Sequence, residues 1–242
     1  MRVLLAFIGG PGHLDPLVPL GDAAAAAGHA VAYAGRPAAL EPLAARGVTV
    51  FATEPPRTTP RRRIPLQPVD IERERSDFRR GFADRLAREQ AAALLDVCTE
   101  WRPDAVVCDE TDFGAVIAAE HLGLPHASVI TIAARTFATP ELIAEPLDAL
   151  RAEHGLPPDP GLETMARHLV LVPFPPVYRD PASPLAATAR AFRPSPPPVR
   201  RREDPPLVYF SLGTEFNVES GDLFGRVLSG LRDHVHGQVA QP

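Results

Sequence analysis

Apolar strand patterns and helical patterns alternate along the first 130 residues of the chain. Regular alternation of this kind predicts a parallel sheet that is covered by helices on both faces. The predicted strands are Met1–Ile8, Ala30–Ala34, Val48–Phe51, Pro103–Asp109, Pro125–Ile130 and His168–Val172. The predicted helices are Leu14–Ala27, Pro37–Arg46, Asp77–Trp101 and Phe113–Leu122, with further helical segments between Pro140 and Arg167.

Two stretches rich in proline and arginine interrupt the alternation. Residues 52–76 have the composition of a surface loop. Residues 174–206 have the composition of a linker, and a strand at Leu207–Ser211 and a helix at Leu223–Leu231 follow them. We therefore expect an α/β Rossmann-like, doubly wound parallel sheet over residues 1–173, a proline-rich linker over 174–206, and one β–α unit of an incomplete second Rossmann-like domain over 207–242.

Charge and composition exclude several classes of function. A net charge of −5 gives no electrostatic basis for binding nucleic acid or an anionic membrane. All 25 cationic residues are arginine, which excludes a Walker-A lysine and Schiff-base catalysis. The chain begins directly with a strand and has no apolar run as long as a membrane span, so we expect a cytoplasmic protein.

Neither the cysteines nor the histidines have the spacing of a metal site. Cys98 and Cys108 are too few for a disulfide framework, and we expect both to be reduced thiols in the core. His234 and His236 could chelate a metal, but they lie on a polar terminal stretch where such a pair is usually incidental. We therefore expect no metal.

A glycine-rich turn that ends in His13 lies between the first strand and the first helix. Gly9, Gly10 and Gly12 precede the histidine. In open α/β sheets, ligands bind at the carboxyl ends of the strands, where helix N-termini face the crevice. Histidine can take up a proton near neutral pH, so this turn predicts an active site.

Asp109 ends the fourth strand and is the expected partner of His13. In the strand order 3-2-1-4-5, strands 1 and 4 are neighbours, and both side chains emerge at one edge of the sheet. A carboxylate there can fix the imidazole tautomer, which leaves the other ring nitrogen to act as a base. The structural alternative is that His13 satisfies the turn and Asp109 caps the next helix. Asp112 competes for the acid role, although we expect it to be the helix N-cap.

A dinucleotide site is a weaker alternative for the same turn. The residues from Gly10 onward imitate the G-x-G-x-x-G fingerprint, but Asp15 occupies the position of the third glycine. Arg36 follows the second strand and could bind a 2′-phosphate. An NADP-dependent oxidoreductase therefore remains a possible interpretation at this stage.

Three segments resemble the GT-B-fold, nucleotide-sugar-dependent glycosyltransferases, in particular the bacterial branch that modifies macrolides and other natural products. They are the turn and helix start at Gly9–Leu20, the strand and helix from Pro103 to Pro125, and the strand and turn at Pro206–Thr214. The three segments occur in the family's order and span nearly the whole chain.

The resemblance implies an inverting hexosyl transfer to a hydroxyl of a hydrophobic aglycone, with a UDP- or dTDP-sugar as co-substrate and no tightly bound cofactor. It assigns the general base to His13 and the orienting carboxylate to Asp109. It places acceptor-binding residues in the first domain and donor-binding residues at the start of the second, although each acceptor residue could equally be ordinary core or loop. The acceptor residues are Gly12, Phe78, Phe82, Thr131, Arg135 and Phe137, and the donor residues are Ser211, Gly213 and Thr214.

The sequence departs from this family in its second domain. Residues 207–242 suffice for about one strand–helix unit, because a βαβ unit takes some 30 residues or more. We therefore expect a truncation of the donor domain near Leu231. The partner is then an aglycone, with a separate donor half or a homodimer as further possibilities, and a non-catalytic aglycone-binding module or half of a split enzyme is the alternative function.

Overall fold

The computed structural model describes residues 1–54, 63–133, 138–194, 208–212 and 216–234. These residues form two compact units. The first unit contains 1–54, 71–133 and 138–194, and the second contains 63–70, 208–212 and 216–234.

A seven-stranded sheet forms the centre of the first unit, and every pairing in it is parallel. Its order is β3-β2-β1-β4-β5-β6-β7, which confirms the predicted 3-2-1-4-5 arrangement and extends it. The strands are β1 (Arg2–Ala6), β2 (Ala30–Gly35), β3 (Thr49–Ala52), β4 (Ala105–Asp109), β5 (His126–Val129), β6 (Leu169–Val172) and β7 (Ala189–Ala191).

Helices connect the strands, as the alternating pattern predicts. Within the described residues, no helix is both long and apolar enough to cross a membrane. The α-helices of the first unit are α1 (Pro11–Leu14), α2 (Val18–Ala26), α3 (Pro37–Ala45), α4 (Ile71–Arg80), α5 (Ala87–Trp101), α6 (Phe113–His121) and α7 (Pro140–Glu153). A π-helical segment (Gly81–Leu86) joins α4 to α5, and short 3₁₀ turns lie at Glu163–Ala166 and Pro176–Tyr178.

The two faces of the sheet bury separate apolar clusters. Because side chains alternate along a strand, Leu4 and Ala6 face a cluster that includes residues of α5 and α6, whereas Leu5 and Phe7 pack with residues of α3. Cys108 lies in the first of these clusters, and neither cysteine is in a disulfide. The fold class predicted from the alternating pattern is confirmed.

The structure differs from the predicted elements at three places. The helix predicted over Leu14–Ala27 begins only at Val18, because the single turn of α1 ends at Leu14 and Pro16, which lacks a backbone N–H, lies between α1 and α2. The long helix begins at Ile71, six residues before the predicted start at Asp77. β7 lies inside the stretch assigned to the linker, so the first unit continues past residue 173.

The second unit is held by contacts around one helix, α8 (Leu223–His234). Ile64 N–H donates to the carbonyl of Val218 at 2.8 Å, and the rings of Phe210 and Phe224 meet edge to face with centroids 5.3 Å apart. Residues 208–212 have no regular secondary structure, so the strand predicted at Leu207–Ser211 is not formed over its described part. A strand needs a neighbour for its backbone hydrogen bonds, and none is assigned to these residues.

Gly114 permits the close packing of α5 on α6. A Cβ at Gly114 would lie 2.4 Å from the carbonyl oxygen of Ala87 and 2.7 Å from the amide nitrogen of Ala91, both of which are backbone atoms. We expect Gly114→Ala to lower the free energy of unfolding by about 1–3 kcal/mol, because overpacking forces the helices apart. Gly81→Ala is the control, since a Cβ there meets no atom within 4 Å. Urea unfolding of both variants checks this, and equal stabilities would contradict it.

Candidate active site

In the glycine turn after β1, the imidazole of His13 packs against the backbone of Gly9. Gly9 has a φ of +89°, a conformation that favours glycine. A Cβ at Gly9 would lie 2.8 Å from Cδ2 and 3.1 Å from Nε2 of His13. The glycine therefore provides clearance for the ring, which lies on the single turn of α1.

Asp109 lies within hydrogen-bond distance of His13 across the boundary between β1 and β4. The parallel register pairs Ala6 with Cys108, which places the end of β4 beside the turn. Nδ1 of His13 lies 3.2 Å from Oδ1 of Asp109, and the two side chains are 17% and 0% exposed, respectively. The structure thus brings together the two residues that the sequence assigned to the catalytic pair.

Other donors also bind the buried carboxylate of Asp109. The backbone N–H of Ile8 donates to Oδ2 at 3.1 Å. Thr111 donates twice to Oδ1, from its backbone N–H at 2.8 Å and from its hydroxyl at 2.5 Å. The hydroxyl oxygen of Thr111 also lies 3.3 Å from Nδ1 of His13. Sequence reasoning missed Thr111, although a threonine two residues after an aspartate at a strand end is a known local hydrogen-bonding pattern.

Asp112 is the N-cap of α6, as the sequence predicted. Its side chain accepts from the backbone N–H of Ala115 at 3.0 Å and from the amide of Gln90 at 2.9 Å. Burial and the neighbouring Asp109 raise the pKa of Asp112 to about 8, against the opposing effects of these two donors and of His13. The raised pKa of Asp112 lowers the electrostatic cost of placing its carboxyl group beside that of Asp109.

The aromatic side chains predicted to bind the acceptor have different surroundings. The ring of Phe82, on the π-helical segment, lies 6.4 Å from that of His13 between centroids. Phe78 stacks behind it at 5.1 Å and meets Phe113 edge to face at 6.1 Å. Phe82 is half-buried whereas Phe78 belongs to the core, so Phe82 is the better placed of the two for contact with a ligand near His13.

A carboxylate occupies the position where a cofactor phosphate would bind at the glycine turn. Glu54 accepts from the backbone N–H of Gly9 at 3.4 Å and from Nε of Arg36 at 3.1 Å. A carboxylate repels phosphate, and Arg36 is already paired with it. This arrangement disfavours the interpretation of the turn as an NADP site.

Glu110, the residue after Asp109, faces the neighbouring strand β5 and was not predicted. One of its oxygens accepts from the backbone N–H groups of Thr131 and Ile132 at 2.8 and 2.6 Å. Burial raises the pKa of Glu110 to about 7, although these two donors act against the shift. Glu110 lines an open pocket of about 760 Å³ whose other lining residues include Ile130, Ala138, Leu162, Val170, Arg179 and Leu185.

The remaining predicted site residues are distributed as follows. Thr131 contacts Glu110, and Gly12 is exposed on α1. Ser211 is exposed in the second unit. Arg135, Phe137, Gly213, Thr214 and His236 lie outside the described residues. Within the described part of the chain, no three His, Cys, Asp or Glu residues cluster closely enough to hold a metal ion.

Comparisons with known proteins show a similarity to glycosyltransferases. The chain matches no family profile. It is 34% identical over 128 residues to the L-demethylnoviosyl transferase of Streptomyces niveus, which is 52% of this chain and 33% of that enzyme. The fold matches the glycosyltransferase SsfS6 of Streptomyces sp. SF2575 with a TM-score of 0.63 and 24% identity, over 96% of this chain and 65% of that one. The spinosyn rhamnosyltransferase SpnG, complexed with thymidine diphosphate, matches with a TM-score of 0.58 and 28% identity, over 77% and 49% of the two chains.

The parallel sheet of this chain, with a His–Asp pair at its switch point, is similar in fold to these solved glycosyltransferases. The chain resembles the natural-product glycosyltransferases of the GT-B fold in sequence and structure, as the three motifs indicated. It spans about a third of the curated relative and between a half and two thirds of the two solved structures.

Replacement of Gly9 by alanine tests the clearance around His13. We expect Gly9→Ala to displace the imidazole from Asp109, and Gly28→Ala is a matched control because Gly28 also has a positive φ (+83°) but no atom within 4 Å of a Cβ. Both substitutions place an alanine at a positive φ, which lowers the free energy of unfolding by about 1 kcal/mol. Only Gly9→Ala should alter the NMR signals of the His13 ring. Unchanged signals in Gly9→Ala would contradict this role.

The buried Glu110 makes stability depend on pH. The pKa of Glu110 in the folded protein, about 7, lies above the ordinary value of 4.5 for this group. Its contribution to the free energy of unfolding is therefore fully present below pH 4.5 and is lost as the pH rises through 7. Relative to the wild type, Glu110→Gln should therefore gain stability between pH 5 and pH 8, by an amount on the order of a few kcal/mol. Urea unfolding at the two pH values measures it, with Glu41→Gln on the exposed side of α3 as the control. A pH-independent difference would contradict the prediction.

Proposed function

We propose that the complete protein is an inverting glycosyltransferase that moves a hexosyl group from a nucleoside-diphosphate sugar to a hydroxyl of a hydrophobic natural-product aglycone. The observation that carries this proposal is the contact between Nδ1 of His13 and the fully buried Asp109, 3.2 Å apart at the carboxyl edge of the sheet. The similarity to natural-product glycosyltransferases supports the choice of reaction.

His13 acts as the general base in this proposal. Nε2 removes the proton from the acceptor hydroxyl, and the oxygen attacks the anomeric carbon from the face opposite the nucleotide. The bond between the anomeric carbon and the phosphate oxygen breaks, and the nucleoside diphosphate leaves with the electron pair. Asp109 stabilises the imidazolium that forms, as the carboxylate does in Ser-His-Asp triads.

The substrates follow from the surroundings of the pair and from the relatives. The ring of Phe82, 6.4 Å from His13, offers a flat apolar contact for an aglycone. SpnG has been determined with thymidine diphosphate and with the spinosyn aglycone, and SsfS6 with thymidine diphosphate. We therefore favour a dTDP-sugar over a UDP-sugar as the donor.

A second candidate function is an aglycone-binding half that needs donor residues from elsewhere. The chain spans 33% of its curated relative and 49% of SpnG, so the remainder of those proteins has no counterpart among its matched residues. In this case the acceptor side is present in this chain, and a separate donor half supplies the nucleotide site.

Acceptor binding can be measured with the chain alone. Spinosyn aglycone is the probe, and calorimetry should detect saturable binding. We expect Phe82→Leu to weaken it about 10-fold, which is the loss of one aromatic contact. Phe51→Leu is the matched control, because Phe51 packs against Trp101 instead. Binding that is absent, or equal in the two variants, would contradict the assignment of the acceptor side.

Transfer is measured with a dTDP-hexose, the aglycone and chromatographic detection of product. We expect no product from the 242-residue chain alone, and product when a donor half is supplied. His13→Ala should then lower the rate by about 10²–10⁴-fold without a comparable loss of aglycone binding. A product that retains the anomeric configuration of the donor, or an unchanged rate in His13→Ala, would disprove the mechanism.

A further inference from the structure

Thr111 contacts both members of the His–Asp pair. Its hydroxyl oxygen lies 2.5 Å from Oδ1 of Asp109 and 3.3 Å from Nδ1 of His13. Its side chain is buried, with 1% of the residue exposed. The hydroxyl therefore lies within hydrogen-bond distance of the two atoms whose contact defines the site.

The short distance to Asp109 determines where the hydroxyl proton points. A hydroxyl has one proton to donate and two lone pairs that accept. A carboxylate is the stronger acceptor, and 2.5 Å is the distance of a charge-assisted O–H···O⁻ bond. The hydroxyl proton of Thr111 is thus directed to Asp109. The lone pairs of the same hydroxyl oxygen remain to accept a hydrogen bond from His13.

Nδ1 of His13 consequently faces two oxygen acceptors, Oδ1 of Asp109 at 3.2 Å and Oγ1 of Thr111 at 3.3 Å. If Nδ1 carried no proton, its lone pair would face electron density on both oxygens. With the proton on Nδ1, a single N–H can be shared between the two, as in a three-centre hydrogen bond. Both acceptors therefore favour the same tautomer.

We propose that Thr111 is a positioning residue that, together with Asp109, holds His13 in the Nδ1–H tautomer. In this tautomer Nε2 carries the lone pair, which is the form that a base acting on an acceptor hydroxyl requires. The inference rests on the proposed role of His13 as the base. The reaction itself involves no atom of Thr111.

The two roles of Thr111 can be separated by substitution. Valine has nearly the shape of threonine and keeps the backbone N–H that donates to Oδ1 at 2.8 Å, so Thr111→Val removes the hydroxyl and retains the turn. Thr111→Ser keeps the hydroxyl and is the conservative control. Asp109→Ala removes the carboxylate acceptor and tests the pair itself. Thr111→Ala is a second hydroxyl-free variant, for use if valine disturbs folding by circular dichroism.

The tautomer of His13 is read directly from long-range ¹H–¹⁵N NMR spectra of the 242-residue chain, assigned by difference with His13→Gln. We expect the Nδ1–H pattern in the wild type and in Thr111→Ser. In Thr111→Val or Thr111→Ala, the ratio of Nδ1–H to Nε2–H should fall by about 3- to 10-fold, the equivalent of one hydrogen bond.

The outcomes distinguish this inference from the proposed function. If Asp109→Ala changes the tautomer and neither hydroxyl-free variant does, the role of Thr111 is disproved and the His–Asp pair stands. If the wild type lacks the Nδ1–H form, or Asp109→Ala leaves it unchanged, the base role of His13 fails as well. If only the serine variant and the wild type share the pattern, the inference is supported.

Discussion

The buried carboxyl group of Asp109 is the constraint on which this edge of the sheet depends. An ionised carboxylate at 0% exposure is costly unless hydrogen bonds replace its lost water. Ile8 supplies a donor from the turn after β1, Thr111 supplies two from the turn after β4, and Nδ1 of His13 lies within hydrogen-bond distance as well. The same contacts therefore stabilise the charge, connect two neighbouring strand ends and orient the imidazole.

Asp112 and Glu54, which also lie near this edge, have separate structural roles. Asp112 caps α6, and its raised pKa limits the repulsion that a second charge beside Asp109 would cause. Glu54 accepts from the amide of Gly9 and pairs with Arg36, so the turn that resembles a phosphate cradle already has an acidic partner. The glycines of this turn therefore act chiefly in making room for a ring.

Most strands and helices of this fold could be predicted from the sequence. The apolar runs and capping residues that specify them are set by residues close together along the chain. The strand order and the approach of His13 to Asp109 were predictable because parallel strands end at a common edge. β7 was not predictable, since Ala189–Ala191 forms a strand only by pairing with β6 in a proline-rich stretch. Phe78 and Phe82 stack on one another yet differ in burial, and their spacing of four residues, which predicts a common helix face, does not encode this difference.

The short strand β7 also affects how this molecule behaves in solution. An open sheet edge exposes unpaired backbone groups that can recruit another chain. Here the outermost strand beside β6 has three residues, and the central one is the charged Arg190. So short and charged an edge offers little template for a strand from a second molecule. The proline-rich stretch thereby protects the sheet against edge-to-edge aggregation.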